Sequence, residues 1–119
     1  MSLALLASAA LAFPAAGETS TYDVAMFEPM QLSGDLRVAT YSIVRDTRCP
    51  DPMLCFHDEK LIVILIANWR GKWHAFRVTM GQPLRLDDGW LTLTGTTAAA
   101  REGSAIPLSE YRLGYVFER

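Results

Sequence analysis

Seven consecutive residues, Leu61-Ile62-Val63-Ile64-Leu65-Ile66-Ala67, carry no polar side chain. A run this short fits either a strand buried on both faces or a short buried helix. Four of the seven are β-branched, and branching at Cβ favours the pleated conformation. The run therefore predicts the central strand of a sheet, with its hairpin partner beside it. In isolation it would aggregate, and Glu59, Lys60 and Arg70 flank it as charged gatekeepers.

The neighbouring sequence alternates as strands do. Upstream, Leu36 to Asp46 changes its apolar phase: Leu36 and Val38 share one face, Tyr41 and Ile43 the other. A period of two cannot change phase without an extra residue, so a β-bulge is expected near Ala39 or Thr40. Downstream the chain turns through Asn68-Trp69-Arg70-Gly71-Lys72. Trp73 to Met80 then alternates, with His74, Phe76, Val78 and Met80 on one face and Trp73, Ala75, Arg77 and Thr79 on the other. Leu84 and Leu86 mark a short strand, and Asp87-Asp88-Gly89 supplies a hairpin turn. Leu91 and Leu93 point inward, while Trp90, Thr92 and Thr94 point outward. A last strand aligns Tyr111, Leu113, Tyr115 and Phe117, and a weaker one runs around Tyr22 to Phe27. Six to seven short strands separated by turn residues predict an all-β fold, a small antiparallel sandwich or barrel.

The first residues have a different character. The run from Leu3 to Phe13 is almost wholly apolar and too short to cross a bilayer, which takes about 20 residues. Pro14-Ala15-Ala16-Gly17 follows it, with Ala15 and Gly17 placed as the small residues of a signal-peptidase site. Residues 1–17 read as a signal peptide and 18–119 as a single domain; an apolar first helix of the fold is the alternative. No Lys or Arg precedes the run, which fits a start inside a longer signal. The expected location is periplasmic or secreted. The net charge of −2 leaves no electrostatic footprint for nucleic acid, and the membrane is expected to matter only through the signal before cleavage.

Both cysteines lie in Asp46-Thr47-Arg48-Cys49-Pro50-Asp51-Pro52-Met53-Leu54-Cys55, separated by five residues. That spacing is not the Cys-x-x-Cys of redox sites or zinc ribbons. A stapled crossover between strands and a redox-active or metal-binding pair both remain open on the residues alone. Pro50 and Pro52 forbid regular strand pairing through the segment. Asp46 is placed to accept nearby backbone N–H groups, and Arg48 to pair with Asp46 or dock on a loop carbonyl.

D-T-R-C-P-x4-C-F, after a Thr/Tyr/Val-rich strand and before a Leu/Ile/Val run, resembles a segment of small, largely uncharacterised exported bacterial β-domain proteins. Those proteins often show D-S-R-C-P-x4-C-x-W-A-G. Arg77-Val78-Thr79-Met80-Gly81-Gln82-Pro83-Leu84 and Tyr111-Arg112-Leu113 are similar to that group in layout. The resemblance implies an exported β-rich domain with a Cys49–Cys55 disulfide, worth about 2 kcal/mol for a loop this small. It implies no activity, and no catalytic residue is carried over. After Phe56 the chain departs from the group, with His57-Asp58-Glu59 in place of the W-A-G-like turn.

No Gly-x-Ser-x-Gly elbow, phosphate-cradling loop or zinc-protease motif is present, so no catalytic residue and no cofactor is expected. His74, between apolar neighbours of its face, reads as a core histidine. Trp69-Arg70-Gly71-Lys72-Trp73 is the best candidate binding surface: Trp69 and Trp73 flank cationic Arg70 and Lys72 at a hairpin tip, and Trp90 extends it from a nearby strand. Tryptophan is enriched at interface hot spots and stacks on sugars or cations. The leading expectation is a non-catalytic exported domain that binds a protein or glycan partner in the cell envelope. The alternative is a periplasmic copper- or zinc-handling protein using Met53 and His57, with Met26, Met30 or Met80, since thioether and imidazole suit copper.

Overall fold

A computed structural model describes residues 18–50, 59–100 and 106–119. The signal segment, Met53, Cys55 and His57 therefore lie outside the described residues. The chain forms two antiparallel four-stranded sheets. One sheet, in the order β1-β8-β7-β6, contains β1 (Thr19–Ala25), β8 (Arg112–Glu118), β7 (Gly89–Thr96) and β6 (Leu84–Leu86). The other, in the order β2-β3-β4-β5, contains β2 (Met30–Ser33), β3 (Leu36–Asp46), β4 (Leu61–Trp69) and β5 (Lys72–Thr79). Neither sheet closes on itself, so the fold is a sandwich.

Eight strands replace the expected six to seven because β2 is a strand in its own right. It is short, and only Met30 and Leu32 turn inward, too little alternation to stand out in the sequence. The apolar run lies at the heart of β4, between β3 and β5. The expected bulge is present but sits one residue later. Thr40 faces Leu65 and Ser42 faces Ile64, leaving Tyr41 as the extra residue. A second irregularity leaves Val44 unmatched between Ile43 and Arg45. Tyr41 and Ile43 consequently do not share a face: Ile43 packs on the core while Tyr41 stands in solvent.

The core lies between the sheets. Leu61, Val63 and Leu65 of β4 meet Leu91 and Leu93 of β7 and Leu113, Tyr115 and Phe117 of β8, all of them buried. Gly89 opens β7 where a Cβ would come within 2.6 Å of the Phe117 ring and 2.7 Å of the Glu118 carbonyl. This glycine therefore serves close packing, and the turn itself is made by Asp87 and Asp88, with Asp87 at φ 54°.

One polar contact crosses the core. The hydroxyls of Thr40 on β3 and Tyr115 on β8 lie 2.7 Å apart, and both residues are buried. Burial pushes the Tyr115 phenol up to about 12, although the Thr40 hydroxyl pulls the other way. Removing either hydroxyl leaves the other buried without its partner. Tyr115→Phe and Thr40→Val are each expected to cost about 1–3 kcal/mol. The double variant is expected to cost less than their sum, as urea denaturation of the full double-mutant cycle will measure.

Candidate partner-binding surface

The cysteine segment is organised by the carboxylate of Asp46, the last residue of β3. The Arg48 guanidinium donates to it in a fork, Nε to Oδ1 at 2.7 Å and Nη2 to Oδ2 at 2.7 Å. Tyr111, just before β8, donates its hydroxyl to Oδ2 at 2.6 Å. Arg48 also donates through Nη1 to the Ala98 carbonyl at 2.9 Å. Both readings of Arg48 therefore hold together: it pairs with Asp46 and docks on a carbonyl, one that belongs to the loop after β7. The base of the segment is closed by Thr47, whose N–H donates to the Lys60 carbonyl at 2.7 Å and whose Oγ1 accepts from the Lys60 N–H at 2.9 Å. Glu59 accepts from the Cys49 N–H at 2.9 Å. Cys49 is buried, and no described cysteine is free.

Burial pushes the Asp46 carboxyl up, but the hydrogen bonds from Arg48 and Tyr111 and the Arg48 charge outweigh it and hold the group below its ordinary 3.8. The Tyr111 phenol is pushed up to about 12, by burial first and by its bond to Asp46 second. This is a structural node. Its polar atoms are satisfied by one another.

The hairpin tip is a two-residue turn, with Trp69 opposite Lys72 and both Arg70 (φ 54°) and Gly71 (φ 79°) left-handed. That is the turn whose twist matches paired strands. Asn68 accepts from the Gly71 N–H at 3.2 Å, and the Arg70 N–H donates to the Asp35 carbonyl at 3.1 Å. Side-chain parity then separates the residues grouped at the tip by sequence. Trp69 turns to the core side, packs against it and is covered by Arg70, whose guanidinium lies 4.9 Å from the indole centroid. Lys72 lies opposite Trp69 and is exposed. Trp73 pairs with Asn68 on the outer face and is 69% exposed. Trp90 belongs to the other sheet, exposed under Arg85 at 5.3 Å. These five residues occupy three surfaces.

What surrounds Trp73 is a face the sequence reading missed. The outer rows of the β2-β3-β4-β5 sheet are Arg37, Asn68 and Trp73; Ala39, Ile66 and Ala75; Ser42, Ile64 and Arg77; and Arg45, Ile62 and Thr79. Ile64 and Ile66 are only partly buried there. Phe27 and Tyr41 are both 56% exposed and meet edge to face at 6.2 Å. Phe27 holds φ 68°, a strained conformation for a bulky residue. Together Phe27, Pro29, Arg37, Ala39, Ile66 and Trp73 line a shallow cleft of about 380 Å³. A second cleft, of about 180 Å³, opens on the core side of β5 beside Ala67, Trp69, His74, Phe76, Arg85 and Leu86. His74 is exposed at its rim and stacks on Phe76 at 6.3 Å, so it is not the core histidine expected. Its face is the inner one, but the three residues of β6 are too few to cover that end.

Among the described residues no group of three His, Cys, Asp or Glu gathers as a metal site. Met26 and Met30 fill the core, and Met80 packs against it. Comparison with known proteins finds no matching family model, no matching curated protein and no matching solved structure.

The Asp46 node gives the domain a pH limit. Because its carboxyl is held below 3.8 in the fold, the node stabilises fully above that value and loses its contribution as pH falls through the folded value. Asp46→Asn is expected to cost about 2–3 kcal/mol at neutral pH. It should also flatten the acid limb of stability, read by urea denaturation from neutral pH to below 3.8.

Proposed function

We propose that this chain is an exported, non-catalytic β-domain that binds a protein or glycan partner in the cell envelope, and that the outer face around Trp73 makes the contact. The observation that carries this reading is the unequal finish of the two outer faces. The outer face of the β1-β8-β7-β6 sheet presents Thr19, Thr21, Asp23, Thr92 and Glu118 along with Val116 and an isolated Trp90, and its end charges are paired: Arg112 with Asp23 at 3.2 Å, Arg119 with Glu18 at 2.8 Å and with Asp88 at 3.3 Å. The opposite outer face presents Ile64, Ile66, Ala39 and Ala75 between exposed aromatic rings. Its three arginines, Arg37, Arg45 and Arg77, have no ion pair among the described residues. A solvent-facing sheet normally alternates apolar inside with polar outside, so apolar side chains on the outer rows of β4 are unexplained by the fold alone. Contiguous exposed apolar surface marks an interaction site. A floor of isoleucine and alanine favours a protein partner, since sugar hydroxyls would find few hydrogen-bonding groups there.

Trp73→Ala is expected to abolish co-precipitation of the envelope partner, while Trp90→Ala on the opposite sheet leaves it intact. Equal recovery with both variants would sink the assignment. The Cys49–Cys55 disulfide and cleavage after Gly17 belong to the same proposal. Intact mass of protein recovered from the periplasm is expected to show the chain beginning at Glu18. The peptide spanning residues 49 to 55 should be two hydrogens lighter than its reduced form, and iodoacetamide should label neither cysteine before reduction.

A further inference from the structure

The two clefts open on opposite faces of the β2-β3-β4-β5 sheet, the inner one beside His74 and Phe76 of β5 and the outer one over β3 and β4 with Trp73 at its margin. β5 ends its sheet, and no described residue pairs with its outer side. The two-residue turn makes Trp69 and Lys72 a hydrogen-bonded pair, so the alternation of an antiparallel ladder turns the backbone N–H and C=O groups of Trp73, Ala75 and Arg77 away from β4. Neighbouring β6 spans only Leu84–Leu86 and leaves this edge open. Among its side chains β5 carries Lys72 and Arg77 and no acid. An unpaired edge with an apolar cleft beside its inner face is the geometry of strand addition, where main-chain bonds supply affinity and alternate side chains supply specificity.

Resting on the reading of the Trp73 face as a partner site, we infer that β5 receives an extended polypeptide segment of alternating apolar and acidic residues as a fifth strand of its sheet. One row of its side chains enters the cleft beside Ala67, Trp69, Phe76 and Leu86, which is apolar at its floor. The other row lies along Trp73, Ala75 and Arg77 on the outer face, where a carboxylate meets the Arg77 guanidinium, which has no ion pair among the described residues. A glycan would leave the backbone edge unsatisfied. A second copy of β5 would bring two cations and no acid to an edge that itself carries two cations and no acid, and so would offer Arg77 no carboxylate.

The test uses a short synthetic peptide of alternating Glu and Val, matched in length to β5, and its Lys-Val counterpart. Binding is measured by calorimetry, and amide hydrogen exchange is followed by NMR. The Glu-Val peptide is expected to bind, to slow exchange at the amides of Trp73, Ala75 and Arg77, and to outcompete the Lys-Val peptide. Ala75→Pro removes one outward N–H at an edge position where proline is tolerated, and is expected to raise Kd at least about tenfold. Arg77→Glu is expected to invert the preference between the two peptides. Equal affinity of the Ala75→Pro variant, unchanged exchange along β5, or a dimer in light scattering that Ala75→Pro dissolves would each overturn the inference. The two proposals separate cleanly. If Trp73→Ala loses the envelope partner and Ala75→Pro keeps it, the face stands and strand addition fails; if both keep it, both fail.

Discussion

Asp46 ends β3 with its carboxylate turned toward the start of β8, and there it accepts the fork from Arg48 and the hydroxyl of Tyr111. Through Arg48 the same group reaches the Ala98 carbonyl, so the end of one sheet, the start of the last strand and the loop after β7 are joined at one point. The two sheets pack by apolar contact, which is strong but indifferent to small slides. A forked, charge-assisted contact is directional, and here the Tyr111 hydroxyl and the Ala98 carbonyl tie it to segments flanking the other sheet. It is the interaction that aligns this end of the sandwich. Thr40 and Tyr115 do the same in the interior, at 2.7 Å and out of contact with water.

Much of this was legible because period-two patterning is a direct record of burial. The inward rows of β7 and β8 could be named residue by residue, since Leu91, Leu93, Leu113, Tyr115 and Phe117 recur at every second position, mostly between polar or small neighbours. The D-T-R segment could be read for its local pairing because Asp46 and Arg48 are two residues apart. Its longer contacts could not: Tyr111 and Ala98 lie 65 and 50 residues away, and no spacing rule links them. β2 escaped notice because its strand character comes from β3, which it pairs with, more than from its own four residues.

The binding surface was half legible, for a geometric reason. Proximity in sequence suggested that Trp69 and Trp73 form one patch, yet a two-residue turn places residue 69 opposite 72 and residue 68 opposite 73. Two side chains four apart across such a turn must fall on opposite faces of the sheet. Parity counted through the turn would have separated them. Nothing local could have added Phe27 and Tyr41, because each reaches the face by an irregularity, a left-handed residue in one case and a bulge in the other. The apolar run of β4 did contain the missing signal. Seven apolar residues imply that both faces are covered, and the fold covers the outer rows at Ile64 and Ile66 only in part.

The same strand edge shows how the domain tolerates this. A long unpaired edge beside exposed isoleucine is a template for self-association, and native sheets commonly blunt such edges with charge. β5 does so with Lys72 and Arg77, and the arginines of the adjacent outer face add to the same sign. Positive charge without acids gives another copy of this edge no complementary charge, and on the proposed reading it suits a carboxylate-bearing strand instead. A mildly acidic chain that concentrates on one face arginines without an ion pair among the described residues would, on the proposed reading, solve two problems with one arrangement: the edge stays open, and its choice of occupant is set by sign.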